Sequence, residues 1–234
     1  MGDLQAAFIT AFSLIVSCDE NLTEIVSLSL QVSLTAVSLA SLLGLPLGAA
    51  LALARFPGRR FVVVLLNALM GLPPVVVGLL VYLLLSRSGP LGGWGLLFTP
   101  SAMIIAQCVL VLPIVAALTR QVVEDLWEEL QEQLHSLGVS PQRAIWTLLW
   151  EGRFSLLTAI LAGLGRSIAE VGAVIIVGGN IAHVTRTMTT AIALETSKGD
   201  LPLALGLGII LITLAVLING AVYLLQDVAQ RLQA

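Results

Sequence analysis

Apolar residues in this chain fall into long blocks separated by short polar stretches, and the blocks have membrane-crossing length. A bilayer core takes roughly 20 consecutive apolar residues in a helix. Four uncharged runs reach or approach that length: Ile25 to Ala54, Phe61 to Leu85, Ser101 to Thr119 and Leu201 to Gln226. A fifth, Phe154 to Val177, is interrupted by Arg166 and Glu170, four residues apart and therefore on one helical face. The pattern predicts an all-α integral membrane protein, one membrane-spanning domain over 1–234 with these five transmembrane spans. Leu4 to Ser17 is apolar but short for a crossing, and it reads as an interfacial helix.

Composition agrees with this reading. Hydrophobic residues make up 58% of the chain and charged residues 11%, with a mean hydropathy of +1.02. Soluble domains carry roughly 25% charged residues, so an ordinary soluble fold is excluded. A net charge of -3 leaves no basic surplus for phosphates, so nucleic acid is not an expected partner. Cys18 and Cys108 lie far apart without metal-ligand spacing and read as small apolar residues. Met1 to Phe12 holds Asp3 and no cation, unlike a secretory signal, so the N-terminus is expected to be retained.

The cations set an orientation, because cytoplasmic loops near span ends are enriched in Lys and Arg. Five spans place Arg55, Arg59, Arg60, Arg120, Arg143, Arg153 and Arg231 on one side, and Arg87, Arg186 and Lys198 on the other. The first side is the expected cytoplasmic one. The N-terminus is then outside and the C-terminus cytoplasmic, as in a multi-pass protein of the cell membrane. Inside the spans, Pro46 between Gly44 and Gly48, Pro73-Pro74 after Gly71, and Pro113 each remove a backbone donor and are expected to kink their helices. These kinks either shape packing or bound a central pathway. No internal repeat is visible, which disfavours an inverted-repeat carrier.

The longest polar stretch, Arg120 to Arg153, has Leu126, Leu130, Leu134 and Leu137 at helical spacing among Glu124, Asp125, Glu128, Glu129 and Glu132. An amphipathic helix closed by Gly138 is expected, then a second helix with Ser140 as N-cap and Pro141 in its first turn. LGVSPQRAIW would pass for a DNA-binding helix-turn-helix, but an acidic first helix tied to a membrane argues against phosphate contact.

The arrangement resembles the "EAA" loop of binding-protein-dependent ABC importers, with Glu132-Gln133-Leu134 as the block and Gly138 six positions after its Glu. Two departures stand out. Gln133 and Leu134 replace the family's small residues, and Leu149-Trp150-Glu151 replaces its Leu-Pro end. In such importers this loop supplies the helix that meets the ATPase, so the resemblance gives Glu132, Gln133, Leu134, Gly138, Ser140 and Pro141 a coupling role. Asn67 to Gly92 and Gly165 to Asp200 are similar to the permeases of tungstate importers, relatives of molybdate and sulfate permeases. That resemblance implies a homodimer, two copies of a cytoplasmic ATPase holding ATP and magnesium, and an extracytoplasmic binding protein that delivers the oxyanion.

Candidate pathway residues follow from cost. Arg166 and Glu170 are expensive in a span unless they face water, protein or each other. Either they simply pair, or they flank a pathway where Arg166 attracts an anion and Glu170 gates it. Gly178-Gly179-Asn180 tolerate the tight backbone of a helix end. Thr185, Thr187, Thr189 and Thr190 with Arg186 offer oxyanion donors, the alternative being a solvated loop. His183 reads as an exposed loop residue. No phosphate-binding G-x-x-x-x-G-K-[ST] occurs, so ATP hydrolysis, and any cofactor, is expected on a partner subunit. H-E-x-x-H and G-x-S-x-G are also absent. Two other readings stay open: a membrane enzyme using Glu170 or His183, and a lone channel.

Overall fold

The computed structural model describes residues 8–9, 12–13 and 20–231. The interfacial helix expected over Leu4 to Ser17 lies for the most part outside the described residues, as does Cys18. Nine α-helices are found among the described residues: α1 (Glu20–Leu53), α2 (Arg59–Met70), α3 (Pro74–Leu85), α4 (Pro100–Ser136), α5 (Pro141–Glu151), α6 (Arg153–Ile168), α7 (Gly172–Gly178), α8 (Met188–Lys198) and α9 (Leu201–Arg231). A single 3-10 turn, Gly92–Trp94, lies between α3 and α4.

Three helices are each long and apolar enough to cross a bilayer: α1, α4 and the Leu201–Leu224 part of α9. Two bent pairs, α2 with α3 at 100° and Arg143–Glu151 with α6 at 78°, raise the number to five. Phe61 to Leu85 is therefore two helices and not one straight span. Its break sits at Gly71 to Pro73, where Pro73 is extended (φ -64°, ψ 121°) and Pro74 starts α3. Prolines do not break the other helices. α1 runs through Pro46 and α4 through Pro113 without interruption. Pro46 projects from the exposed side of α1, whereas Pro113 is buried in α4. The expected span Phe154 to Val177 is split at Ala169 to Val171 into α6 and the seven-residue α7.

The α1–α4 pair forms the centre of the bundle. Ala36, Ala40, Gly44 and Gly48 recur every fourth residue of α1, and all four are buried. A Cβ on Gly48 would stand 2.4 Å from the Ala116 carbonyl oxygen and 2.8 Å from Thr119 Cβ, so the helices touch backbone to backbone. Small-residue stripes of this kind let helices approach where lipid supplies no hydrophobic drive between them. Apolar packing continues along the axis in three groups. Val32, Val77, Met103, Val174 and Val177 fill one end, Val37, Val111, Val115 and Leu164 the middle, and Ala49, Val123, Leu134, Ala144 and Leu148 the other end. The outer flanks carry large apolar side chains, among them Leu42, Phe61, Ile212 and Val216. In a bilayer such flanks meet hydrocarbon, which is the physical sense of a chain this apolar on its surface.

Candidate translocation site and coupling loop

The loop is built on one continuous element. The apolar run and the amphipathic helix expected as separate pieces are a single 37-residue helix, α4, because nothing between Thr119 and Arg120 stops it. Gly138 ends it in the left-handed region (φ 69°). The Gly138 N–H donates to the His135 carbonyl (3.0 Å) and the Val139 N–H to the Leu134 carbonyl (2.9 Å). This is a Schellman closure, and Val139 and Leu134 share one apolar cluster, as that motif favours. Leu134 is buried there against Ala144 and Leu148, whereas Glu132 and Gln133 are exposed.

Pro141 begins α5 as expected, but Ser140 makes no side-chain cap. Its carbonyl accepts the Arg143 and Ala144 N–H groups instead. Above the loop, Glu124 lies between Arg59 and Arg120, paired with both. Arg59 also donates to the carbonyls of Leu51 (3.0 Å) and Ala52 (3.1 Å), the unsatisfied end of α1. These three charged residues thus tie α1, α2 and α4 together at the end where the loop departs.

The second region surrounds the α6–α7 break. Arg166 Nη2 lies 3.5 Å from Glu170 Oε2. Arg166 is 37% exposed and Glu170 4%. Glu170 has a second role: its Oε1 accepts the Ala173 N–H at 3.1 Å, so the carboxylate caps α7. Its backbone carbonyl accepts the Thr189 hydroxyl at 2.8 Å. Beside them, the Ser167 hydroxyl donates to Gln107 Oε1 (2.7 Å) while Gln107 Nε2 donates to the Ser167 carbonyl (3.2 Å), joining α4 to α6. Gln107, Ser167, Glu170, Thr187 and Thr189, together with Ser29 and Ser33 of α1, surround a cavity of only about 10 Å³. That is space for one water and not for a tetrahedral oxyanion.

The threonines are not a solvated loop. Thr185, Thr187, Thr189 and Thr190 are all buried. Their hydroxyls are also committed: Thr185 donates to the Gly178 carbonyl (2.6 Å), Thr189 to that of Glu170, and Thr187 with Thr190 forms a reciprocal capping box for α8. They hold the chain in place in this conformation and are not free anion donors. Gly179 (φ 73°) and Asn180 (φ 50°) reverse the chain after α7 in left-handed conformation, and Asn180 Nδ2 donates to the Thr190 carbonyl at 3.3 Å. Gly178 packs on Met103, whose Sδ would lie 3.0 Å from a Cβ there. His183 is exposed, with Nδ1 2.7 Å from Glu24 Oε2. The two groups considered for acid–base chemistry, Glu170 and His183, therefore belong to separate contacts. Beyond the threonines, a cavity of about 340 Å³ is lined by Glu24, His183, Arg186 and Glu195. Cys108 is a free, part-buried thiol.

A bundle whose longest helix projects into a Glu-to-Gly turn matches one family. The model of the binding-protein-dependent transport system inner membrane component covers residues 44–231. This chain belongs to that family. The permease is 43% identical over 210 residues to a probable anion ABC transporter permease protein of Haloferax volcanii, covering 86% of this chain and 90% of that protein. It is 40% identical over 227 residues to the tungstate uptake system permease protein TupB of Peptoclostridium acidaminophilum, covering 97% and 100% of the two chains. A sulfate transport system permease protein CysW of Synechocystis is 30% identical over 205 residues, covering 85% of the permease and 74% of that protein. The permease is accordingly an ABC importer subunit and a multi-pass membrane protein.

Sequence reasoning missed Gln107, Ser29, Ser33, Arg59 and Glu124. Gln107 had a visible signal, an amide inside an otherwise apolar run, where an unpaired polar group is costly. The four-residue repeat of Ala and Gly in α1 was also on the page.

Proposed function

We propose that the permease carries a tetrahedral dianion, tungstate in the first place, into the cytoplasm by alternating access. A partner ATPase that binds ATP and magnesium drives the cycle, and an extracytoplasmic binding protein supplies the anion to a homodimer of permeases. The observation that carries this reading is the full-length match to a tungstate uptake permease. The sulfate permease relatives support sulfate or molybdate as the second reading. Glu132, Gln133, Leu134, Gly138, Ser140 and Pro141 make up the segment assigned to ATPase contact, and the exposure of Glu132 and Gln133 supports it.

Arg166, Glu170, Gly178, Asn180, Thr189 and Thr190 belong to the segment assigned to gating. The closed 10 Å³ cavity and the committed hydroxyls correspond to a shut gate in this assignment. Opening exchanges the Glu170–Ala173 and Thr189–Glu170 bonds for water or substrate, so a few weak contacts serve a dianion that must also leave.

In proteoliposomes holding permease and ATPase, with the cognate binding protein outside, tungstate stimulates ATP hydrolysis and accumulates at the lowest concentrations. Stimulation by an amino acid, a sugar or a metal cation, with no response to tungstate or molybdate, overturns the oxyanion assignment. For orientation, a cysteine at Lys198 in a Cys18→Ser, Cys108→Ala background reacts with an impermeant reagent from outside, and one at Arg143 reacts only from the cytoplasm. The reverse pattern overturns the topology.

A further inference from the structure

The corner between α5 and α6 opens a groove whose lining includes none of the residues assigned above to gating or ATPase contact. It holds about 430 Å³ and runs from Trp146 and Trp150 on α5, past Arg153, to Leu42 and Pro46 of α1 and Ile160 of α6. Its two ends differ in chemistry. At the corner, the Arg153 guanidinium lies 5.1 Å from the Trp150 ring and 4.7 Å from the Phe154 ring, and its Nη1 donates to the Trp150 carbonyl at 2.7 Å. Away from the corner the walls are aliphatic apart from Ser41. Among the described residues, no carboxylate lines the groove. Trp146, Trp150 and Leu42 are each more than 70% exposed, so the groove opens sideways toward the bilayer.

We infer that this groove binds one anionic phospholipid, its phosphate on Arg153 and one acyl chain along Leu42, Pro46 and Ile160. A cation with indoles at one end and hydrocarbon at the other matches a lipid cut across its headgroup boundary, and tryptophans favour that depth. Basic pockets beside membrane helices on the cytoplasmic side are general sites for anionic headgroups. A net negative lipid is favoured because the described lining has a cation and no acid to receive an ammonium group. The leaflet, the cytoplasmic one, rests on the proposed orientation; the chemistry of the site does not. The lipid wedges α5, the helix after the coupling turn, against α1, so its loss loosens the loop without touching the gate.

The test uses the assembled permease–ATPase complex in nanodiscs of phosphatidylcholine containing about 10 mol% of either phosphatidylglycerol or phosphatidylcholine with brominated acyl chains. Bromine near Trp146 and Trp150 quenches their fluorescence. Brominated phosphatidylglycerol is expected to quench about threefold more strongly than brominated phosphatidylcholine, and Arg153→Gln removes the difference. Ile160→Trp narrows the aliphatic end while leaving Arg153 in place. It is expected to abolish the phosphatidylglycerol retained in native mass spectrometry, which keeps the test open should Arg153→Gln fail to assemble. Equal quenching by the two lipids, or wild-type retention in Ile160→Trp, overturns the site. So does a ready disulfide between two copies carrying Leu42→Cys, which puts a second permease in the groove. Tungstate transport in the liposome assay is a separate result, and either can fail alone.

Discussion

The Gln107–Ser167 pair offers the sharpest test of how the proposed gate is held. Both side chains are almost fully buried, at 3% and 2% exposure, and each donates to the other's residue. Gln107→Leu keeps the volume and removes both bonds. The Ser167 carbonyl still accepts the Glu170 N–H at 3.3 Å, so the main casualty is the Ser167 hydroxyl. A buried donor left without an acceptor costs roughly 1–3 kcal/mol, while bonds between membrane helices average about 0.6 and reach about 1.7. The adjacent cavity admits one water, which offsets part of the loss. The expected destabilisation of Gln107→Leu is therefore about 1–2 kcal/mol. Adding Ser167→Ala removes the stranded hydroxyl, and the double variant recovers most of that loss. The measurement is thermal or steric-trap unfolding of wild type, both single variants and the double variant in one detergent. Tungstate transported per ATP is read in parallel on the assembled complex. Independent losses that simply add in the double variant refute the pairing as an energetic unit.

Gly48→Ala forces α1 from α4, because its Cβ lands 2.4 Å from the Ala116 oxygen, and it lowers stability by about 1–3 kcal/mol. Gly208→Ala, with nothing within 4 Å, leaves the unfolding midpoint unchanged or raises it. Gly138→Val meets no neighbour, so its whole effect is backbone strain of about 1–2 kcal/mol. It uncouples ATP hydrolysis from uptake while Gly138→Asn stays near wild type, and equal behaviour of the two removes the left-handed turn from the coupling argument. Glu170→Gln keeps an acceptor for the Ala173 amide and folds, with reduced uptake. Glu170→Leu also strands that amide and is less stable than Glu170→Gln by about 1 kcal/mol in the same unfolding assay.

Features set by composition along one helix were readable in the sequence. The apolar blocks, the Gly138 turn and the start at Pro141 all depend on neighbours within a turn or two. Others depend on distant groups. Three prolines or proline pairs look alike in sequence, yet only Pro73-Pro74 marks a bend, and nothing within a turn of Pro46 or Pro113 sets them apart from it. Nothing local in Ser140 says whether its hydroxyl caps α5; the backbone carbonyl provides the acceptor there. Thr189 looks like a loop donor until the Glu170 carbonyl arrives from another helix end, whereas the Thr187–Thr190 box is local to the start of α8. Glu124 is one acid among several on α4; its i,i+4 pairing with Arg120 is local, whereas the approach of Arg59 from α2 is not. The oxyanion assignment rests chiefly on resemblance; the threonine hydroxyls are committed to the fold, and of the candidate donors Arg186 Nε is buried without a partner.

The unbroken length of α4 makes it a lever. At 37 residues it is about 55 Å long, nearly twice the thickness of a bilayer core. Met103 lies under Gly178 near one end, Gln107 clasps Ser167 just below it, and Leu134 anchors the turn at the other end. A rigid beam cannot absorb motion by stretching, so a tilt of about 5° about its middle moves each tip by roughly 2–3 Å in opposite directions. Gln107 lies about eleven residues from the middle, so the same tilt moves it by roughly 1.4 Å, enough to carry the 2.7 Å Ser167–Gln107 bond past hydrogen-bond reach. A push at the turn is thus felt at the clasp as a break or a re-registration.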